Sequence, residues 1–125
     1  MGEADRERYG REALSLAGRL EGPGAEAEET VWEVYAATEK LIAVLKFRLD
    51  YETPGVFAKL PDADDPGKLV EDARRLLAKA ASEIGQGNLL RAIETLRKAR
   101  NYLRRYLIDK KRQKPRTGAG KGPQA

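Results

Sequence analysis

Four stretches of the chain repeat their apolar side chains with the period of an α-helix. In the first stretch, residues 3–20, the apolar positions recur at i, i+4, i+7, i+8 and i+11, and they are Tyr9, Ala13, Leu16, Ala17 and Leu20. This spacing puts all five on one face of a helix and does not fit the alternation of a strand. Gly22-Pro23-Gly24 then predicts a turn, because proline lacks the N–H that a helix interior needs.

The second predicted helix, Ala25 to Asp50, carries the longest apolar stripe of the chain. The stripe keeps the 3.6-residue period for five turns and comprises Val31, Val34, Tyr35, Thr38, Leu41, Ile42, Leu45 and Leu49. Trp32, Val44 and Phe47 lie off the stripe, so more than half of the circumference is apolar. We favour a central helix of the bundle, contacted on two sides; the alternative is that part of the helix meets a partner chain.

The stretch from Tyr51 to Pro66 is the one long irregular connection. Three prolines and Gly55 interrupt regular structure, while Val56, Phe57 and Leu60 are too apolar for a solvated linker. We predict that this connection folds back over an open end of the bundle as a packing strap. A functional loop is the alternative for a connection of this length.

The third and fourth helices have clear start and stop signals. Asp64 or Asp65 can cap the third helix with Pro66 at its first position, and Gly85 and Gly87 are predicted to take the left-handed conformation that ends it. The third stripe is Leu69, Val70, Ala73, Leu76, Leu77, Ala80 and Ile84. The fourth helix follows Asn88 and ends near Arg112, and its stripe is Leu89, Ala92, Ile93, Leu96, Ala99, Leu103 and Leu107.

Short connections join the first helix to the second and the third to the fourth, which makes antiparallel neighbours of each pair. The sequence therefore predicts an all-α fold, an antiparallel, up-and-down four-helix bundle built from two helical hairpins. The bundle occupies residues 1–112. Residues 113–125 contain proline, glycine and cations but no large aliphatic or aromatic side chain, and we expect a disordered basic tail there.

The formal net charge of +4 conceals an uneven distribution along the chain. From Arg97 to the C-terminus there are 11 cationic side chains against the single anion Asp109, a net of +10. Residues 1–96 carry 13 cations and 19 anions, a net of −6. The dipole of the last helix explains two or three cations near its C-terminus, not an excess of ten.

Several chemistries are excluded by composition. The chain has no cysteine and no histidine, so disulfides, thiolate nucleophiles, Cys/His zinc sites and a histidine base are absent. Asp62, Asp64 and Asp65 lack the glycine and distal glutamate of a calcium loop. We predict no enzymatic activity, no metal and no cofactor. The charged N-terminus predicts no signal peptide, so we expect a cytoplasmic protein, and the abundance of Glu, Arg and Lys is typical of thermophile proteins.

Two resemblances concern the helical hairpins. The segment Gly87–Ala99 resembles the second half of a tetratricopeptide-type hairpin, G-[DN]-x3-A-I-x2-L-x-K-A, in a single copy. The layout of the whole chain resembles that of HEPN-type helical bundles in archaea, some of which are ribonucleases with an R-x4–6-H motif near the last helix. Arg104 and Arg105 stand in a suitable place, but no histidine follows, so this resemblance implies the fold and not the catalysis.

The basic end is the main functional signal of the sequence. Cations at this density attract phosphate, and interleaved tyrosines can stack on exposed bases. We therefore expect a non-enzymatic accessory protein of a larger assembly that binds RNA or DNA without sequence preference. The predicted contacts are Arg97, Arg100, Arg104, Arg105, Lys110, Lys111, Arg112, Lys114, Arg116, Tyr102 and Tyr106.

The alternative function is a protein-interaction adaptor or an oligomeric scaffold. In that case the apolar face of the second helix, with Trp32 and Phe47, would contact a partner chain or a second copy in a homodimer. Neither alternative places the chain in a membrane, because no apolar run approaches the roughly 18 residues that a span requires.

Overall fold

The computed structural model describes residues 1–49, 59–62 and 64–113. Within these residues the chain forms four α-helices, which are α1 (Glu3–Arg19), α2 (Glu28–Leu49), α3 (Pro66–Gly85) and α4 (Leu89–Gln113). The all-α prediction is confirmed. The largest shift is at the start of α2, three residues later than predicted, because Gly22 and Gly24 both take positive φ and form two successive turns there.

The ends of α3 confirm one predicted signal and correct another. Asp65 caps the helix by accepting a hydrogen bond from the Lys68 N–H (3.0 Å), and Pro66 is the first helical residue. Gly87 has the left-handed conformation, with φ of +84°. Gly85 does not, because it is the last residue of α3 and keeps helical geometry. The prediction for Gly85 is therefore wrong.

The four helices form a ring in which each packs against two others. The contact between α3 and α4 is the most extensive, α1 packs on α3, and α2 packs on α4. The contact between α1 and α2 is the thinnest of the four. The C-terminal hairpin is therefore the centre of the fold, and the two N-terminal helices lie on either side of it.

Polar contacts at the helix ends show the direction of α2 relative to its neighbours. Arg48, near the end of α2, pairs with Asp5 at the start of α1. At the other end, the hydroxyl of Tyr106 in α4 donates to the backbone carbonyl of Glu26, just before α2. Both α1 and α4 are therefore antiparallel to α2, as the bundle prediction requires.

The direction of α3 differs from the predicted up-and-down order, in which α3 would be antiparallel to α2. Arg74 in α3 lies 3.9 Å from Glu21, which follows α1, so α3 is antiparallel to α1. A methyl group on Gly67, in the first turn of α3, would lie 3.2 Å from the Glu26 carboxylate, which precedes α2. The helices α2 and α3 consequently begin at the same end of the bundle, and Leu49 and Pro66 lie at opposite ends.

The described part of the long connection lies beside α4. Residues 59–62 line a shallow recess together with Lys98, Asn101 and Tyr102, which belong to the middle of α4. They therefore run along the side of the bundle and not over an open end, contrary to the prediction for this part. Val56 and Phe57, which were predicted to pack with Leu60, lie outside the described residues.

The predicted apolar stripes form the core. On all four helices the central stripe positions are buried, among them Ala13, Leu45, Leu77 and Leu103. α2 is contacted by two helices, α4 and α1, as the central-helix interpretation expected, but the off-stripe residues Trp32 and Phe47 are not covered and are 52% and 84% exposed. Within the described residues, α2 thus carries two of the four large hydrophobic side chains that are exposed, the others being Leu14 and Leu90.

Candidate nucleic-acid interface

The charge asymmetry of the sequence becomes an asymmetry between helices. The helices α1, α2 and α3 carry net charges of 0, −1 and +1, because their acidic and basic side chains nearly balance. Nine cations in α4 face only Glu94 and Asp109 on the same helix, a net of +7. The positive field of the described chain is therefore concentrated along one helix of the bundle.

Three of the predicted arginines are held by carboxylates. Arg97 pairs with Glu94 (3.1 Å) and Arg105 with Asp109 (3.3 Å), both on α4. Arg100 pairs with Glu39 of α2 (3.1 Å). These three side chains are only about one-fifth exposed. The carboxylates hold these three guanidinium groups in place and partly neutralise their charges before any ligand binds.

Arg100 is the most constrained of the three. In addition to its ion pair with Glu39, its Nε and Nη2 donate to Oδ1 of Asn101 at 3.3 and 3.2 Å. Asn101 is buried although it lies on the outer side of α4, where it lines the recess formed with residues 59–62. The sequence analysis did not identify Asn101 and Glu39 as partners of Arg100. The available signal for Asn101 was its single amide side chain among the cations of α4.

The remaining described cations of the predicted site form no ion pair with a carboxylate, although Arg112 shares a recess with Asp64, Asp65 and Asp109. Arg104, Lys111 and Arg112 are exposed and form no ion pair with any described residue, and the same holds for Lys98. We call these four side chains the open cations of α4. Lys110 differs from them, because its ammonium lies 5.5 Å from the ring centre of Tyr106 in a cation–π contact. Lys114 and Arg116 lie outside the described residues.

The two predicted tyrosines occupy different environments. Tyr106 is 1% exposed, with its hydroxyl bound to the Glu26 carbonyl, so its faces are not available to a base. Its assignment as a stacking residue is therefore wrong. Tyr106 lies three residues after Leu103 and seven after Ala99, which places it on the apolar stripe, and this spacing was the signal to read. Tyr102 is half-buried and lines the recess beside residues 59–62.

An aromatic pair on α2 lies beside the cations of α4. The rings of Trp32 and Tyr35 form a T-shaped contact, with centroids 5.8 Å apart and an interplanar angle of 88°. The Tyr35 hydroxyl donates to Glu39 (3.3 Å), the same carboxylate group that binds Arg100. We call the surface formed by Trp32, Tyr35 and Glu39 of α2 with Arg100 and Arg104 of α4 the α2–α4 seam.

The pKa of the Tyr35 hydroxyl shows that one of the open cations, Arg104, lies near the seam. Burial raises the pKa of its hydroxyl, and the neighbouring Glu39 carboxylate raises it further. The positive charges of Arg104 and Arg100 act in the opposite direction and lower the same pKa. Arg104 therefore lies within electrostatic reach of the aromatic pair.

The predicted partner-binding residues do not form one patch. Trp32 and Phe47 are fifteen residues apart, which corresponds to about 22 Å along a helix. Trp32 lies at the seam with α4, whereas Phe47 neighbours Arg48, whose partner Asp5 belongs to α1. The structure therefore brings Trp32 to the cations that the sequence assigned to a different function.

The acidic side chains before α3 are already engaged. Asp64 binds Lys68 (3.1 Å), and this hydrogen bond together with one from the Asp65 N–H lowers the pKa of its carboxyl group. Asp65 caps α3 as described above. Within the described residues, no group of three or more acidic side chains is arranged to hold a metal ion.

Two further observations bear on the class of protein. None of the helices in the described ranges is both long enough and apolar enough to cross a membrane. Comparison of the chain with family models, with curated proteins and with solved structures gave no match in any of the three.

Proposed function

We propose that the protein is a non-enzymatic, cytoplasmic nucleic-acid-binding bundle that contacts phosphates through the open cations of α4, as an accessory subunit of a larger assembly. The observation that supports this proposal is the net charge of +7 on α4 beside three helices that are close to neutral. Phosphate contacts made by exposed side chains position a nucleic acid without reading its sequence. Binding is therefore expected to be independent of sequence.

The rigid fold suits this role. α4 is anchored along its length by buried residues on its inner face, so its outer cations keep fixed spacings. Because Arg97, Arg100 and Arg105 are already paired, Arg104, Lys111, Arg112 and Lys98 are the groups that would release counterions on binding. The cations of residues 114–125 add to this charge in the sequence.

The test is a salt titration of affinity for a fluorescein-labelled oligonucleotide. The logarithm of the association constant is expected to fall linearly with the logarithm of the salt concentration. Removing two contacts in Arg104→Gln/Lys111→Gln should lower the slope by roughly 1.4 for single strands. The matched control is Lys40→Gln/Lys79→Gln, which removes the same charge from exposed positions on α2 and α3.

Two outcomes contradict the proposal. One is the absence of measurable binding at low salt. The other is an equal loss of affinity in the two double variants, which would mean that net charge alone attracts the ligand. Circular dichroism of each variant checks that the helical content is retained.

A second candidate function is supported by one observation, the 84% exposure of Phe47. A large apolar ring at that exposure is a contact site for another protein or for a second copy of the chain. Sedimentation velocity of the wild type and Phe47→Ala separates the alternatives. A monomer at every concentration in both proteins would argue against self-association.

A further inference from the structure

The position of Trp32 suggests more than phosphate binding. It is the only tryptophan of the chain, and half of its surface is open to solvent on a helix whose apolar stripe is buried in the core. Among the described residues its aromatic neighbour is Tyr35, whose ring plane is perpendicular to the indole, so Tyr35 can cover at most one face of Trp32. A face of the indole ring is therefore left for a flat ligand.

The neighbouring surface of α4 supplies the charge that such a ligand needs. Along the antiparallel pair, Glu39 faces Arg100 and the start of α2 faces Tyr106. Trp32 lies between these two levels, which places it opposite α4 near Arg104. Lys111 lies seven residues further along α4 and therefore on the same side of that helix, two turns nearer its C-terminus. An exposed aromatic face beside exposed cations is the combination that binds single-stranded nucleic acid.

The surrounding acids restrict how a strand can lie. Glu29 precedes Trp32 by about one helical turn, and Glu33 follows it and pairs with Arg19 of α1, whereas Glu28 lies near Tyr106 of α4. A phosphate on the side of Glu29 and Glu33 would meet like charge. A strand on the α4 side instead meets the exposed Arg104 and Lys111.

We infer that the α2–α4 seam binds single-stranded nucleic acid, with one base stacked on the face of Trp32 and the adjacent phosphates on Arg104 and Lys111. This inference rests on the proposed function, and it adds the strandedness of the ligand and a base contact. Duplex DNA keeps its bases stacked inside the helix and offers only phosphates to the same surface.

The experiment compares two probes of equal length and charge, an oligothymidylate and an oligomer of abasic deoxyribose phosphates. Trp32 fluorescence reports contact directly, because no other tryptophan contributes. We expect the oligothymidylate to quench Trp32 and to bind more tightly than the abasic oligomer. Trp32→Ala should lose roughly tenfold in affinity for the oligothymidylate and little for the abasic probe.

The controls separate stacking from other effects. Trp32→Phe keeps an aromatic face and should retain most of the preference for bases. Phe47→Ala removes a more exposed ring from the far end of α2 and should change neither affinity. An oligoribonucleotide of matched sequence shows whether RNA is held by the same seam.

The outcomes distinguish this inference from the proposed function. If wild type binds both probes equally and Trp32→Ala changes nothing, stacking is overturned while phosphate binding stands. If neither probe binds at low salt, both are overturned. A preference for bases that survives in Trp32→Ala would also overturn the inference, because another residue would then hold the base.

Discussion

The hydroxyl of Tyr106 on α4 donates a hydrogen bond to the backbone carbonyl of Glu26, which lies just before α2. This bond joins the cationic half of α4 to the start of the helix that carries Trp32. It satisfies a carbonyl in the turn that precedes α2, and it buries a tyrosine among cations. The C-terminal half of α4 is therefore part of the bundle and not an arm projecting from it.

The first prediction concerns the strength of this bond. Tyr106→Phe keeps the buried ring and removes only the hydroxyl, leaving the Glu26 carbonyl without this donor. We expect a loss of about 1 kcal/mol in the free energy of unfolding at pH 7. Urea unfolding followed by circular dichroism measures it. Tyr102→Phe, in which the ring is half-buried, is the control and should change stability less.

The second prediction is the pH dependence of the difference in unfolding free energy between wild type and Tyr106→Phe. Burial raises the pKa of Tyr106 above its ordinary value of 10.0, and the nearby Glu26 and Glu28 raise it further. The folded state therefore holds this proton more tightly than the unfolded state. The resulting stability is fully present below pH 10 and is lost as the pH rises beyond it. The advantage of wild type over Tyr106→Phe should shrink from pH 10 upward, and a constant difference between pH 8 and pH 11 would contradict this account.

The third prediction uses two glycines at the end of α3, Gly85 within the helix and Gly87 after it. Gly87 has φ of +84°, and a Cβ there would also lie 3.8 Å from Cδ of Arg6. Gly87→Ala should therefore cost about 1–2 kcal/mol, the usual penalty for the left-handed region. Gly85 is helical with open space around its Cα, so Gly85→Ala should be neutral or stabilising by up to about 1 kcal/mol. Equal effects of the two substitutions on thermal unfolding would refute the difference in conformation.

The fourth prediction concerns a buried acid. Glu83 is 6% exposed, and its Oε1 has no hydrogen-bond partner in the described part of the chain. A neutral amide is less costly to bury than a carboxylate, so Glu83→Gln should stabilise the fold by about 1 kcal/mol. Glu94→Gln, at an exposed position, should stay within about 0.5 kcal/mol of wild type. A destabilised Glu83→Gln in urea unfolding would show that the carboxylate has a required role.

The fifth prediction separates folding from binding. Deleting residues 114–125 removes Lys114, Arg116 and Lys121 but none of the buried side chains of the described chain. The midpoint of thermal unfolding should not change. If these cations contact phosphate, the salt slope for a single-stranded probe should fall by up to roughly 2. An unchanged slope would confine the contacts to α4.

Much of the fold was predictable because its signals are local. Each apolar stripe identified a helix, and the Asp65-Pro66 pair located the start of α3 within one residue. These signals depend on backbone conformation and on the 3.6-residue period alone. The direction of α3 relative to α2 was not accessible in this way, because the long connection between them is compatible with either direction.

The candidate site was predictable only in part, for the same reason. The excess of cations on α4 is visible in the sequence, and Arg104, Lys111 and Arg112 are exposed as expected. Tyr106 is buried because the turn before α2 packs against it. The residues near Trp32 are likewise determined by how α2 packs against α4. Contacts between residues about seventy positions apart are set by tertiary packing, which a single sequence does not reveal.

The thin contact between α1 and α2 has a consequence for biosynthesis. Each of these helices buries its apolar stripe mainly against a helix of the C-terminal hairpin, not against the other. Residues 50–113 must therefore be translated before the first half can fold, which takes about 3 to 13 s at ordinary elongation rates. Helices form and melt within about a microsecond but are only marginally stable without tertiary packing, so the newly made N-terminal half spends this interval unpacked. During that time it is an apolar segment that a chaperone can bind.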